Sequence, residues 1–213
     1  MFVKLCGLRS LGDTKAAIEA EANALGFILA ESQRQVSPEF IAGLRDELVA
    51  PPTLVGVTVN RTAADLHQLF EQARLDMIQL SGDEPISMLD DLEMPVIKAL
   101  RFQEGTSIDQ ATQEVDAWLG HRHAAELVLI DGYKAGEYGG TGVKADWRLL
   151  HEVAARYPIV LAGGLTPDNV AQAIHQVDPF GVDTASGTET DGVKDPEKLK
   201  AFVQNAHDAE VKY

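Results

Sequence analysis

The sequence predicts an α/β protein with the (β/α)8 barrel fold (TIM barrel), as one domain over residues 1–213. Short apolar segments alternate with amphipathic helical patterns along the whole chain. Two glycine turns follow near the C-terminus, LAGGLTPDN at 161–169 and GVDTASGTET at 181–190. A length of 213 residues suits a small barrel. An open doubly wound sheet is the alternative, but the GxGxxG motif that usually follows its first strand is absent.

Eight short apolar segments are the predicted strands. Because a helical pattern follows each of them, the strands are expected to run parallel with right-handed crossovers. Eight such units in a chain of this length favour closure into a barrel. The strands are expected near residues 2–6, 24–29, 53–59, 76–80, 95–100, 126–131, 158–162 and 180–183.

Eight helices are expected between and after these strands. Residues 66–73 and 108–118 carry apolar side chains at the i, i+3, i+4 and i+7 spacing of one helix face. Asp146 is expected to cap the helix after the sixth strand. Three more helices are expected to begin with a capping residue followed by proline. These starts are Ser37-Pro38, Thr166-Pro167 and Asp195-Pro196.

The composition narrows the possible partners. Lys and Arg total 18 and Asp and Glu total 33, giving a net charge of −15, which argues against nucleic acid or an acidic membrane as a partner. One cysteine excludes an internal disulfide and a Cys-rich metal site. No apolar stretch approaches 18 residues, and the first ten residues lack the apolar core of a signal peptide. We therefore expect a cytoplasmic protein, a monomer by default.

The two glycine turns are the candidate phosphate site. Each follows an apolar segment, and each presents backbone N–H groups where a ligand can approach closely. In a (β/α)8 barrel the loops after strands seven and eight commonly hold a phosphate. The expected donors are Gly163 and Gly164 in the first turn, and Ser186 and Gly187 in the second. The alternative is that both turns are only tight connections.

Two strand ends carry side chains suited to acid–base chemistry. Cys6 ends the first strand and Asp131 ends the sixth, so the two would face each other across the barrel mouth. If Val3 and Leu5 face the helices, Lys4 and Cys6 face the interior. Lys4 would then either lower the pKa of the thiol or pair with a barrel carboxylate. The alternatives are that Cys6 is a small buried apolar residue and that Asp131 is a cap.

Three further features have candidate roles. Arg34, after the second strand, is suited to binding a carboxylate in bidentate fashion, and the alternative is a solvated charge on a loop. The glycine-rich segment GEYGGTG at 136–142 is a candidate mobile lid or a loop that approaches the ligand. None of the six histidines lies at a strand end, and His121 and His123 lack an evident third metal ligand.

Taken together, these segments resemble the phosphoribosylanthranilate isomerase family, single-domain barrel enzymes of tryptophan biosynthesis. The resemblance spans nearly the whole chain, and the joint occurrence of its motifs is specific. The matching segments are VKLCGLRS at 3–10, ALGFILAESQRQVSPE at 24–39, VGVTVN at 55–60, QLSGDE at 79–84, LIDGYKAGEYGGTG at 129–142, LAGGLTPDNV at 161–170 and GVDTASGTETDGVKDPEK at 181–198.

The resemblance implies an Amadori rearrangement of N-(5-phosphoribosyl)anthranilate to 1-(2-carboxyphenylamino)-1-deoxyribulose 5-phosphate, with no cofactor and no metal. It implies that Asp131 is the general acid that opens the sugar ring and that Cys6 is the general base at C2′. Arg34 would bind the anthranilate carboxylate, and Asp183 would orient the substrate or neighbouring side chains. The implied phosphate ligands are Gly163, Gly164, Ser186 and Gly187.

The chain departs from the family pattern at two positions. Ser81 stands where QLHG is common, and Ala185 replaces the first serine of the Ser-Ser-Gly turn. Two other functions remain as alternatives: another phosphosugar aminoaldose–ketose isomerase, and a non-catalytic phosphate-ligand binder. If Cys6 is the base, activity should fall on the acid side, and a kcat/KM flat between about pH 5 and 9 would count against a thiolate.

Overall fold

A computed structural model of the protein describes residues 1–103, 105–131 and 147–210. Eight parallel strands close into a barrel in chain order, with β1 paired to both β2 and β8. This arrangement confirms the predicted (β/α)8 barrel. The strands are β1 (Phe2–Cys6), β2 (Ala24–Ile28), β3 (Thr53–Thr58), β4 (Met77–Leu80), β5 (Val96–Leu100), β6 (Leu127–Asp131), β7 (Ile159–Ala162) and β8 (Gly181–Thr184).

Seven α-helices surround the barrel in the part of the chain that the structure describes. Their cap sequences act as expected at two starts: Ser37 Oγ accepts from Phe40 N–H, and Asp195 accepts from the N–H groups of Glu197 and Lys198. The helices are α1 (Leu11–Glu19), α2 (Pro38–Glu47), α3 (Ala63–Ala73), α4 (Ile108–Leu119), α5 (Trp147–Ala154), α6 (Val170–Val177) and α7 (Pro196–Asp208). None of these helices has the length and apolar character required to cross a membrane.

Side chains alternate between two apolar layers. Val3 and Leu5 are fully buried in the layer between the strands and the helices. The barrel interior is filled by a smaller cluster that includes Val55, Ile97 and Leu129. This alternation places Lys4 and Cys6 on the interior side of β1, as the sequence predicts.

The expected fourth helix is wrong, because only a 3₁₀ helix over Ile86–Asp91 follows β4. Glu84, just after β4, is drawn into the protein by a buried ion pair with Lys98 Nζ at 2.7 Å. Its carboxylate also accepts from the N–H groups of Asn60 and Gly82. Fixing Glu84 in this way leaves a short segment before β5, and the chain forms a 3₁₀ helix in it.

The expected start of α6 is also wrong. The helix begins at Val170 rather than at Pro167, and a turn precedes it. Asn169 explains the shift, because its side chain bonds backward into the turn: Oδ1 accepts from Thr166 N–H at 2.8 Å and Nδ2 donates to the Gly164 carbonyl at 3.0 Å. The first glycine turn is therefore fixed by the asparagine rather than capped by the threonine.

We expect the Lys98→Met variant to lower the free energy of unfolding by about 3–5 kcal/mol, because it leaves the Glu84 carboxylate buried without its cation. Urea unfolding measures this loss. Replacing both partners, as Lys98→Met with Glu84→Gln, should cost less than the single change. Lys15→Met, at an exposed position on α1, is the matched control. A Lys98→Met variant as stable as this control would contradict the prediction.

Candidate active site

The C-terminal ends of the strands bring Cys6 of β1 and Asp131 of β6 to one end of the barrel. Cys6 is buried with 6% of its surface exposed, and the Asp131 side chain is 23% exposed. Gly26 on β2 leaves the space that the thiol fills, since a Cβ there would lie 2.7 Å from Cys6 Sγ. The two side chains belong to strands separated only by β7 and β8 in the closed barrel.

Lys4 both pairs with a barrel carboxylate and acts on the pKa of the thiol, the two roles that the sequence left open. Its Nζ donates to Asp183 Oδ1 at 2.8 Å, and its charge acts to lower the pKa of the Cys6 thiol. Burial lowers the pKa of Lys4, but Asp183 and Cys6 raise it more, so the lysine stays charged. Burial raises the pKa of the Cys6 thiol above its usual range and Asp183 adds to this, while Lys4 and Lys194 oppose it without reversing it.

Asp131 lies beside an arginine that the sequence analysis missed. Burial raises the pKa of the Asp131 carboxyl, the charge of Asp183 raises it further, and Arg101 opposes both. Arg101 Nε lies 4.0 Å from Asp131 Oδ2, and its Nη1 donates to the Ser81 carbonyl at 3.0 Å. Arg101 directly follows β5, so examining every strand end would have found it. A carboxyl held toward its protonated form is suited to donate a proton.

The two glycine turns pack directly against each other. Gly163 and Gly164 both have positive φ, at 92° and 66°. A Cβ on Gly187 would lie only 1.8 Å from the Leu165 carbonyl oxygen, so only glycine fits there. Thr184 Oγ1 also donates to Leu165 O at 2.7 Å. The contact makes the turns one continuous surface of backbone, which is the arrangement a phosphate site after β7 and β8 requires.

A buried lysine behind the second turn also escaped the sequence analysis. Lys194 Nζ donates to the Ala185 carbonyl at 2.5 Å and to Thr188 Oγ1 at 3.2 Å, so it ties down the turn that contains Ser186 and Gly187. Burial lowers the pKa of Lys194, and the charges of Cys6, Glu189 and Asp183 only partly offset this. No local sequence signal marks this residue, because its partners are defined by the folded loop.

Arg34 is positioned beside Cys6 but is already paired. A Cβ on Gly7, the residue after Cys6, would lie 2.8 Å from Arg34 Cδ, so the arginine stem crosses the backbone next to the thiol. Arg34 Nε and Nη2 donate to the two carboxylate oxygens of Glu189 at 2.6 and 2.7 Å. Glu189 is a further residue that the sequence analysis did not identify.

Ser81 lies in the barrel interior, buried with 7% of its surface exposed. Its hydroxyl accepts from Gln79 Nε2 at 3.0 Å. The serine of QLSG is therefore part of a polar contact beneath the mouth of the barrel. The candidate lid at 136–142 and the candidate cap Asp146 lie outside the described residues.

The comparison with protein-family models decides the family. The model for N-(5'phosphoribosyl)anthranilate (PRA) isomerase matches residues 3–205. The chain belongs to this family. The match covers both the strand that carries Cys6 and the loop that carries Glu189 and Lys194, and it confirms the resemblance seen in the sequence.

Curated relatives and solved structures of the PRA isomerase family match the chain over nearly its whole length. The N-(5'-phosphoribosyl)anthranilate isomerase of Roseiflexus castenholzii is 42% identical, covering 98% of this chain and 99% of its own. That of Geobacter sulfurreducens is 41% identical, covering 96% and 97%. The crystal structure of the Thermotoga maritima enzyme superimposes with a TM-score of 0.85 at 33% identity, covering 98% and 99%.

Two further solved structures bear on ligand and assembly. A PRA isomerase in complex with reduced 1-(o-carboxyphenylamino)-1-deoxyribulose 5-phosphate matches with a TM-score of 0.81 at 31% identity, covering 98% of this chain and 99% of its own. The Thermotoga maritima enzyme is described as dimeric in a study of its engineered monomers, which match with a TM-score of 0.80 at 31% identity, covering 97% and 98%.

Proposed function

We propose that this member of the PRA isomerase family converts N-(5'-phosphoribosyl)anthranilate into 1-(2-carboxyphenylamino)-1-deoxyribulose 5-phosphate in tryptophan biosynthesis. The observation that carries the proposal is the placement of Cys6 and Asp131 at the same end of the barrel as the joined glycine turns. A phosphate held by Gly163, Gly164, Ser186 and Gly187 would leave the sugar carbons over the acid and the base.

The proposed reaction begins with proton transfer from the Asp131 carboxyl to the furanose ring oxygen. The bond between that oxygen and C1′ breaks as the anthranilate nitrogen forms a double bond to C1′, giving the Schiff base. The Cys6 thiolate then removes the C2′ proton, and its electron pair forms the enolamine. Tautomerisation moves the proton of the C2′ hydroxyl away and adds one at C1′, so the ketone forms without any net gain or loss of atoms.

The remaining residues supply binding and charge. Arg34 would bind the anthranilate carboxylate, and Lys4 would stabilise the thiolate as it forms. Asp183, which accepts from Lys4 Nζ at 2.8 Å, would orient the sugar between the acid and the base. The chain's own groups supply each proton transfer in this proposal, which includes no cofactor and no metal.

The titration of Asp131 changes the pH profile expected from Cys6 alone. The reactive form has Asp131 protonated and Cys6 ionised, although the thiol is the weaker acid of the two and burial raises both pKa values. Between the two pKa values, the gain in thiolate with pH cancels the loss of acid. We expect kcat/KM to be flat across neutral pH, to fall below the pKa of Asp131 and to fall again above the pKa of Cys6. A rise across the neutral range in the wild type would contradict this.

We further propose a cytoplasmic monomer acting on a phosphorylated small molecule. Among the described residues, the large exposed apolar side chains are far apart in the sequence: Val49, Val59, Ile108, Phe180 and Val193. Single exposed apolar residues of this kind, in the part of the chain that the structure describes, are usual on a monomer's surface. Sedimentation equilibrium tests the proposal, and a dimer would overturn it.

The decisive experiment follows the fluorescence of freshly generated N-(5'-phosphoribosyl)anthranilate when the purified protein is added. Loss of fluorescence faster than spontaneous hydrolysis, with the ketose product identified by mass and chromatography, supports the proposed isomerase. Well-folded protein without acceleration would reject it. Turnover of a histidine-pathway aminoaldose alone would favour the other phosphosugar isomerase, and tight binding of the substrate without turnover would favour the non-catalytic binder.

A further inference from the structure

The guanidinium of Arg34 is engaged along one edge only. Glu189 accepts from Nε and Nη2, which uses two of the five N–H groups in the planar fork. Within the described part of the chain, Nη1 donates no hydrogen bond. The fork therefore keeps a second edge, formed by Nη1 and the remaining Nη2 hydrogen, that matches the spacing of a carboxylate.

Glu189 lies on the inner side of this pair. Its side chain is 5% exposed, whereas that of Arg34 is 28% exposed. The second cation, Lys194, lies 3.6 Å from Glu189 Oε1. Burial raises the pKa of Glu189, but the hydrogen bond from Arg34 and the charge of Lys194 lower it more, so the carboxylate is ionised. A buried carboxylate between two cations is held in one position, and it is not exposed to contact a ligand itself.

We propose that Glu189 is a positioning residue for substrate recognition. It holds one edge of Arg34 so that the opposite edge faces the carboxylate of the anthranilate ring. This inference rests on the proposed function, since it assigns Arg34 its ligand. It also explains why the arginine stem lies across Gly7: a flexible guanidinium on the loop after β2 is held beside Cys6 by a partner from the loop after β8.

The alternative is that Glu189 competes with the substrate carboxylate for Arg34. In that case neutralising Glu189 would release a cation and tighten the binding of the anionic ligand. If Glu189 positions Arg34, neutralising it would instead weaken carboxylate binding, because a glutamine amide cannot accept two N–H groups in the same bidentate fashion. The two roles therefore predict opposite signs for one variant.

The test compares two ligands by titration calorimetry. One is reduced 1-(o-carboxyphenylamino)-1-deoxyribulose 5-phosphate, and the other is its phenylamino counterpart without the carboxylate. We expect Glu189→Gln to weaken binding of the first ligand by about tenfold or more and binding of the second by less than about twofold. The first factor corresponds to the loss of one charge-assisted hydrogen bond. KM for the substrate should rise by a similar factor, with kcat within about threefold of the wild type. Glu71→Gln, exposed on α3, is the matched control.

Two more variants keep the test decisive if Glu189→Gln is poorly folded. Glu189→Asp retains the charge and should recover part of the discrimination between the ligands. In an Arg34→Lys background, Glu189→Gln should cause no further loss, because the fork it supports is gone. Tighter binding of the ligand that carries the carboxylate, or equal weakening of both ligands, would overturn the inference. Wild-type protein that neither binds the first ligand nor turns over the substrate would instead reject the proposed function.

Discussion

The Asp131→Asn variant is expected to lose roughly 10²–10⁴-fold in kcat, the usual range for removing a general acid. Asparagine is close in shape and can donate a hydrogen bond, but it cannot transfer a proton to the ring oxygen. Because the variant leaves the proposed substrate contacts of Arg34 and the glycine turns unchanged, the substrate KM should change far less. Steady-state kinetics with the fluorescent substrate measure both quantities. A variant with wild-type kcat would show that ring opening uses another acid.

The residual activity of Asp131→Asn carries a second signature. With the acid gone, only the ionisation of Cys6 remains pH-dependent, so kcat/KM should rise about tenfold per pH unit below the thiol pKa. The wild-type profile is expected to be flat over the same range. Unchanged flatness in the variant would mean that Asp131 and Cys6 do not form the proposed acid–base pair. Asp91→Asn, a change of the same type at an exposed position just before β5, is the control for loss of one carboxylate.

The Cys6→Ala variant is expected to lose a similar factor, roughly 10²–10⁴-fold in kcat, because no proton acceptor remains at C2′. Cys6→Ser should be nearly as inactive, since a hydroxyl ionises far less readily than a thiol. Both variants keep the Lys4–Asp183 ion pair, so we expect the free energy of unfolding to fall by no more than about 2 kcal/mol relative to the wild type. Activity equal to the wild type in either variant would remove Cys6 from the mechanism.

Solvent deuterium exchange provides a separate control for Cys6→Ala. Asp131 should still open the sugar ring, but without a base at C2′ no deuterium from the solvent should enter that position, even where the substrate binds. Alkylation of the wild-type thiol should abolish activity and should be slowed by substrate or inorganic phosphate. An alkylated enzyme that keeps its full activity would contradict the assignment of Cys6 as base.

The elements that the sequence predicts correctly depend on local patterns. The order Val3, Lys4, Leu5, Cys6 alternates along a strand, and that alternation alone separates the residues facing the helices from those facing the interior. Ser37 and Asp195 are capping residues directly followed by proline, so their helix starts are encoded within a few residues. The glycine turns after β7 and β8 are also local, although the sequence does not show how closely they pack.

The features that the sequence does not predict depend on partners distant in the chain. After β4, Glu84 is held by an ion pair with Lys98 that forms only in the folded protein, and a 3₁₀ helix follows instead of the expected α-helix. Glu189 and Arg34 are 155 positions apart in the sequence, and no local pattern near either residue indicates that they pair. Asn169 redirects the start of α6 by bonding backward, in competition with an equally plausible threonine cap. The roles of the site residues themselves stay predictions.

The ion pair between Lys4 and Asp183 joins the first strand of the chain to the last strand of the barrel. A ribosome-bound chain that has not yet released β8 therefore carries a lysine without its counter-charge, next to the thiol. Truncated chains that end before residue 181 should neither close the barrel nor gain activity, whereas a circular permutant that joins residue 213 to residue 1 keeps the pairing of β1 with β8. Assembly of the candidate active site therefore has to wait until β8 has been synthesised.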